Sequence, residues 1–160
     1  MNALNKLPLM SITEIATVNN ILAQKGSQVW TISPNATVFD AIKLMDEKNV
    51  GALVVMQGEE LVGIISERDY TRKIILKGKT SKETLVKEIM MSPVIYVTPQ
   101  HSISECMKIM TEHRIRHLPV VFSGKLVGIV SIGDLVNWII SAQNQTINHL
   151  EGYINGRYPG

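Results

Sequence analysis

Gly63-Ile64-Ile65-Ser66-Glu67-Arg68-Asp69 returns 65 positions later as Gly128-Ile129-Val130-Ser131-Ile132-Gly133-Asp134. In both copies an apolar run ends at Ser, and Asp stands three positions beyond it. A segment of helical character follows, Tyr70 to Leu76 in one copy and Leu135 to Ile140 in the other. The pattern predicts a buried strand running into a helix N-terminus, with Gly early in the strand.

The repeat is wider than the motif. At the same offset Pro34 falls on Pro99, Lys43 on Lys108, Met45 on Met110 and Glu47 on Glu112. Leu53 falls on Leu118, Val55 on Val120, and Ile74-Ile75 on Ile139-Ile140, with no gap between Val29 and Ile75. The period exceeds that of common solenoid units, and there are only two copies. Two half-domains packed together are expected.

Working outward, residues 1–10 read as a loose lead-in. Ser11-Ile12-Thr13-Glu14 offers a capping box, followed by Ile15, Val18, Ile21 and Leu22 at helical spacing. Lys25-Gly26 should close that helix with an αL Gly. Val29–Ile32 should be extended, and Asn35 or Thr37 should cap a helix carrying Val38, Ala41, Ile42 and Met45. Strands are expected over 52–56 and 61–65, antiparallel across a turn at Gly58, then a helix to Lys77. A polar linker over 79–83 leads to a short helix over 84–89. The second copy should repeat this with an extended 94–97, a helix bearing Ile103, Cys106, Met107 and Met110, strands over 118–122 and 126–130, and a helix from about Gly133. A tail follows, with Ile147, Leu150 and Ile154 near helical spacing and an irregular end.

Composition bounds the class. The 160 residues allow one compact domain or two small ones. The apolar fraction is 45% and the formal charge only +2, which gives no strongly basic nucleic-acid surface. No uncharged run is long enough for a bilayer. Neither a signal nor a transit peptide is indicated, so the cytoplasm is the expected compartment. A single Cys106 excludes an intramolecular disulfide and a Cys-based metal cluster. His101, His113, His117 and His149 lack metal-ligand spacing. Walker and dinucleotide Gly fingerprints are absent, and no nucleophile–base set is visible, so no catalytic residue or metal site is expected.

Each unit reads strand, helix, strand, strand, helix. The tandem unit, the Gly-x-x-Ser-x-x-Asp junctions and Arg116-His117-Leu118-Pro119-Val120 resemble a pair of CBS domains, named after cystathionine β-synthase. The resemblance covers roughly Ser11 to Asn144 and is strongest to small stand-alone bacterial pairs, of which Ser66-Glu67-Arg68-Asp69-Tyr70 is typical. It implies an α+β fold of two β-α-β-β-α repeats with pseudo-two-fold symmetry: repeat 1 with an N-terminal helix over 11–80, repeat 2 with its leading helix over 84–144, and a tail over 145–160. Two clefts between the repeats, commonly holding adenosyl ligands, are implied with it.

By itself Ser-x-x-Asp is a capping-box variant. Ser at the N-cap accepts from an orphan N–H, and an acid at N3 reaches back to the N-cap N–H. The resemblance adds that the carboxylate takes the vicinal ribose hydroxyls while Ser helps hold the nucleotide. An ionised carboxylate can accept two donors at once. Arg116 and His117 alone read as a solvated strand edge; in related pairs the position faces the phosphate. The first copy has Gly51 and Ala52 there, which breaks the symmetry. Arg68 is a candidate for a phosphate in the first cleft, although the run with Arg72, Lys73 and Lys77 also reads as a solvated helix face. Gly51, Ile132 and Gly133 are further nucleotide-binding candidates, and by the family pattern one cleft groups Gln28, Val29 and Val50 with Ser131 and Asp134. The other groups Ser92, Val94 and Ile115 with Ser66, Arg68 and Asp69.

The expected function is a non-catalytic sensor binding AMP, ADP, ATP, NAD(H) or S-adenosylmethionine, read out through a change of shape. A homodimer and an unidentified protein effector are the expected partners, without nucleic acid or membrane. The alternative is a ligand-free structural or dimerisation module that acts through a protein partner.

Overall fold

The computed structural model describes residues 12–154, with side chains described for 12–145. The capping role expected of Ser11 and the irregular C-terminal end lie outside these residues. The helices and strands follow in order. They are α1 (Val18–Lys25), β1 (Thr31–Ile32), α2 (Val38–Lys48), β2 (Ala52–Gln57), β3 (Glu60–Ser66), α3 (Glu67–Tyr70), α4 (Val86–Ile89), α5 (Ile103–His113), β4 (His117–Phe122), β5 (Lys125–Ser131) and α6 (Ile132–Ile154).

The 65-residue offset carries over into the backbone. Helices α2 and α5, strands β2 and β4, and strands β3 and β5 have matching bounds at that offset. The caps match too. Thr37 Oγ1 accepts from the Asp40 N–H and Ser102 Oγ from the Glu105 N–H. Both helices end on a left-handed residue, Asn49 and Arg114, each at φ 54°. Of the two candidate caps for α2, Thr37 is therefore the one used.

Chain contacts divide the fold into two compact units. One holds the stretch up to Gly26, Val97–Leu118 and the chain from Val130; the other holds Ser27–Tyr96 and Pro119–Ile129. In the second unit β1 pairs parallel to β2, and β2 antiparallel to β3, with an irregularity at Val55/Met56. Gly58, at φ 63°, makes the turn between β2 and β3. Leu53, Val55 and Ile65 of these strands pack against Val38, Ala41 and Met45 of α2, with Ile74, Val86 and Ile89 completing the cluster. Strands β4 and β5 form the other, two-stranded sheet. Ser123 (φ 52°) and Gly124 (φ 75°) make the tight turn that joins them.

Each lead-in segment completes the opposite copy of the repeat. The Val18 N–H donates to His101 O, Asn19 N–H to Pro99 O, and Ile103 N–H to Ala16 O, at 2.9–3.0 Å. In the second unit Val86 N–H donates to Ala36 O, Lys87 N–H to Pro34 O, and Val38 N–H to Thr84 O, at 2.8–3.0 Å. Pro34, Ala36 and Val38 sit 65 positions before Pro99, His101 and Ile103, so one docking pattern is used twice. The segment leading repeat 1 by sequence thus bonds to repeat 2, and the segment leading repeat 2 bonds to repeat 1.

Several local expectations change. The N-terminal helix is interrupted at Ala16-Thr17, because that backbone bridges to Ser102 instead of continuing the turn. Gly26 has φ 95° and ψ 168°, a positive-φ cap outside the αL region. The helix after β3 is α-helical only over Glu67–Tyr70 and then widens into a π-turn over Thr71–Ile75. The short helix between the copies spans Val86–Ile89, two residues shorter at its start than expected. No strand forms over 94–97; only Val97 makes a bridge. Pro93 and Pro99 flank that run and cannot donate to a ladder. The last helix continues unbroken from Ile132 through the polar run Gln143-Asn144-Gln145 into the tail. The glycine of the repeated motif has a packing reason in the first copy. Met91 pairs with Ile64 over β3, and a Cβ on Gly63 would sit 2.9 Å from Met90 Cγ.

Candidate functional site

The two Ser-x-x-Asp junctions form as capping boxes. At the first, Asp69 Oδ2 accepts from the Ser66 N–H (3.0 Å) and Oγ (3.1 Å), while Ser66 Oγ accepts from the Asp69 N–H (3.3 Å). Asp69 Oδ1 also pairs with Lys73 Nζ at 3.3 Å. At the second, Asp134 Oδ2 accepts from the Ser131 N–H (2.8 Å), and Ser131 Oγ accepts from the Asp134 N–H (3.1 Å). Lys25 Nζ, from the end of α1, reaches the same Oδ2 at 2.7 Å. Each carboxylate sits at a helix N-terminus, where backbone dipole and orphan N–H groups favour negative charge.

The junctions differ in what they leave open. Both oxygens of Asp69 have partners. Among the described residues the polar contacts of Asp134 fall on Oδ2, which leaves Oδ1 without a protein donor there. The side chains are 14% and 24% exposed, so neither acid points into bulk water.

The strand start before each junction is tied to it by backbone. Glu67 N–H donates to Gly51 O (3.0 Å), and Ile132 N–H donates to Arg116 O (2.9 Å). Asp134, Ser131, Ile132, Gly133, Arg116 and His117 are thereby brought together within one unit. His117 is half-buried and Arg116 is exposed. Burial pushes the His117 imidazole below its ordinary pKa; the Asp134 carboxylate opposes that shift, and the cations of Lys25 and Arg116 add to it. The group is therefore neutral near pH 7 and within electrostatic reach of a carboxylate and two cations. Such a set can hold a diol on the carboxylate and an anion on the basic groups.

The remaining expected residues are distributed as follows. Ser66, Arg68, Asp69 and Gly51 gather at the first junction. Val50 is half-buried, its N–H donating to Met45 O; Ile115 is its counterpart, with its N–H on Met110 O. Gln28 and Ser92 are exposed, and Val29 and Val94 half-buried. The groupings of Gln28, Val29 and Val50 with Asp134, and of Ile115 with Asp69, draw on residues of both units. Within single units the structure brings together the two junction sets just described.

Sequence reasoning missed Lys25, which is 109 positions from its partner and carries no local signal beyond closing a helix. Lys73 was read as part of a solvated face. It pairs with Asp69 and also donates to Ile89 O at 2.8 Å. The i,i+4 spacing from Asp69 to Lys73 was the available clue. Trp30 is half-buried under Lys48 Nζ, 4.3 Å from its ring centre. Cys106 is fully buried, as are most of Met45 and Met110, in line with core roles. No cluster of His, Cys, Asp and Glu suited to a metal ion occurs among the described residues. No helix there is long and apolar enough to cross a membrane.

Comparison with known proteins shows the family and the fold. The CBS domain family matches residues 12–76 and again 86–141. The mitochondrial CBS domain-containing protein CBSX3 of Arabidopsis thaliana is 42% identical over 155 residues, covering 91% of this chain and 75% of that protein. CBS domain-containing protein YhcV of Bacillus subtilis is 36% identical, covering 79% and 85%. A solved structure from Burkholderia ambifaria MC40-6, described as a signal-transduction protein with CBS domains, is 52% identical with a TM-score of 0.77, covering 79% of this chain and 95% of that one. Tandem pairs of this kind are typically regulatory rather than catalytic, and generally bind adenosyl ligands. With two copies of the family's unit, its mixed helix and strand fold and its repeated junctions, this chain belongs to the CBS domain family as a tandem pair.

Proposed function

We propose that the chain is a non-catalytic regulatory module that binds an adenine nucleotide or another adenosyl ligand at the Asp134 junction. The observation that carries this reading is the open Oδ1 of Asp134, fixed at a helix start beside Arg116 and His117. The carboxylate would take the ribose diol, and Arg116 with His117 the phosphate. AMP and NAD are the first ligands to test, with ADP, ATP and S-adenosylmethionine after them. The Asp69 junction is the weaker site, because both carboxylate oxygens have partners and Gly51-Ala52 replaces Arg116-His117. Signalling would follow if the ligand favours one arrangement of the module over another and a protein effector reads the difference. A homodimer and a cytoplasmic location are part of the same proposal.

Thermal denaturation with increasing AMP or NAD tests it. A ligand that binds only the native state raises Tm by mass action, by an amount that grows with its concentration. No rise with any adenosyl ligand would favour the second reading, a structural or dimerisation module. That reading draws on the capping boxes, which give both carboxylates a structural role without a ligand.

A further inference from the structure

Helix α6 outruns its counterpart in the first copy. There the helical run after β3 is over by Ile75, and Gly78 turns the chain at φ 68°. Gly78 stands 65 positions before Gln143, yet α6 continues past Gln143 to Ile154. Two rows of residues run along α6. The inner row steps through Leu135, Trp138 and Ala142, fully buried at Leu135 and half-buried at the other two. At that spacing it goes on to Gln145 and His149, so it turns polar where the repeat ends. The outer row steps through Val136, Ile140, Gln143, Ile147, Leu150 and Ile154 and is apolar throughout except at Gln143. Val136 and Ile140 are 41% and 48% exposed within the single chain. The outer row advances by four and three residues in alternation, the heptad spacing of one helix packed along another. No Asp, Glu, Lys or Arg occurs between Leu135 and Leu150.

We propose that α6 is a homodimer seam: two copies pair their α6 helices, parallel and in register, along this outer row. A second copy is the occupant because the row is self-complementary. It offers like residues at a like spacing, and no charge within it repels its twin. Gln143 fixes the direction. In a parallel, in-register pair its amide meets the same amide across the two-fold axis. In an antiparallel pair matched along the same row it faces Ile147, and a desolvated amide is left without a partner. A helix pair this short is marginal on its own. Burial of Leu135 in its own unit anchors the first turns, so the ordering cost falls on the extension alone. The proposal rests on the homodimer reading and goes beyond it by naming the helix, the direction and the register. Since α6 begins at the Ser131–Asp134 box, one helix then carries both the ligand carboxylate and the seam.

Cysteine cross-linking of the full chain tests it. Cys106 is fully buried and leaves the assay clean. Under mild oxidation Gln143→Cys should form a disulfide-linked dimer, because a disulfide needs Cα atoms within about 7 Å and paired seam positions supply that approach. Gln145→Cys, on the inner row, should not. Light scattering should show a dimer for the wild type, and Ile147→Asp combined with Leu150→Asp should weaken dimerisation roughly tenfold. A wild-type dimer in which Gln143→Cys fails to cross-link, or cross-links no faster than Gln145→Cys, overturns the seam and leaves the homodimer reading standing. Undiminished dimerisation in the double aspartate variant does the same. A wild-type monomer at every concentration overturns both.

Discussion

Lys25 Nζ lies 2.7 Å from Asp134 Oδ2, so the end of the first helix caps the carboxylate that the ligand reading depends on. Among the described residues the cation paired with Asp69 is Lys73, one turn along the same helical segment. A partly exposed pair of this kind contributes about 0.2–1 kcal/mol. It also competes with any diol for Asp134. Lys25→Met should therefore lower Tm slightly while tightening adenosine binding by roughly two- to fivefold. Adenosine, which lacks a phosphate, isolates the competition. Weaker adenosine binding in calorimetry would show that Lys25 supports the ligand instead.

The pH dependence of stability should carry the mark of His117. Its pKa is lowered in the fold, chiefly by burial. The unfolded chain then binds more protons than the native one as pH falls below about 6.5, so stability is present above that value and is lost as pH drops through the lower folded pKa. Urea midpoints measured across this range should fall with pH, and less steeply in His117→Gln. A phosphate-bearing ligand held there would favour the imidazolium, so AMP affinity should rise as pH falls. An AMP affinity independent of pH would remove His117 from the phosphate site.

Cys106 should be inert in the native state. It is fully buried, and burial pushes its thiol up to about 12, with Glu105 adding to the shift. A disulfide reagent at mildly alkaline pH should react only after denaturant is added. Rapid native reaction would contradict the packing of α5.

The repeated caps should have similar worth. Thr37→Ala and Ser102→Ala each remove the side-chain acceptor of one helix start and should cost about 1 kcal/mol in urea unfolding. Ser102 is also nearly buried, so its loss should be the larger.

Much of the fold was legible because the repeat was. Matching Gly63–Asp69 with Gly128–Asp134 fixed two strand-to-helix junctions, and the apolar runs over 52–56 and 61–65 placed the strands. What escaped was non-local. Nothing near Ala16 announces that its carbonyl will bond to Ile103, so the exchange of lead-in segments was invisible. The π-turn at Thr71–Ile75 was invisible too, because apolar Ile74, Ile75 and Leu76 suit either helical spacing. In the site, residue type and repeat position announced the Ser131–Asp134 capping box, while the ligand roles of Asp134, Arg116 and His117 were only implied by the family resemblance. Lys25 was not legible, since only the folded chain brings it to Asp134.

Calorimetric titration of AMP into the wild-type chain and an Asp134→Asn variant tests the account most directly. Asn keeps an oxygen for the Ser131 N–H, so the cap survives while the charge is lost. Charge-assisted bonds to the diol of about 1.5–3 kcal/mol should disappear, weakening AMP about ten- to a hundredfold at unchanged fold. Equal affinity in the two proteins would contradict the assignment of Asp134 to the ligand.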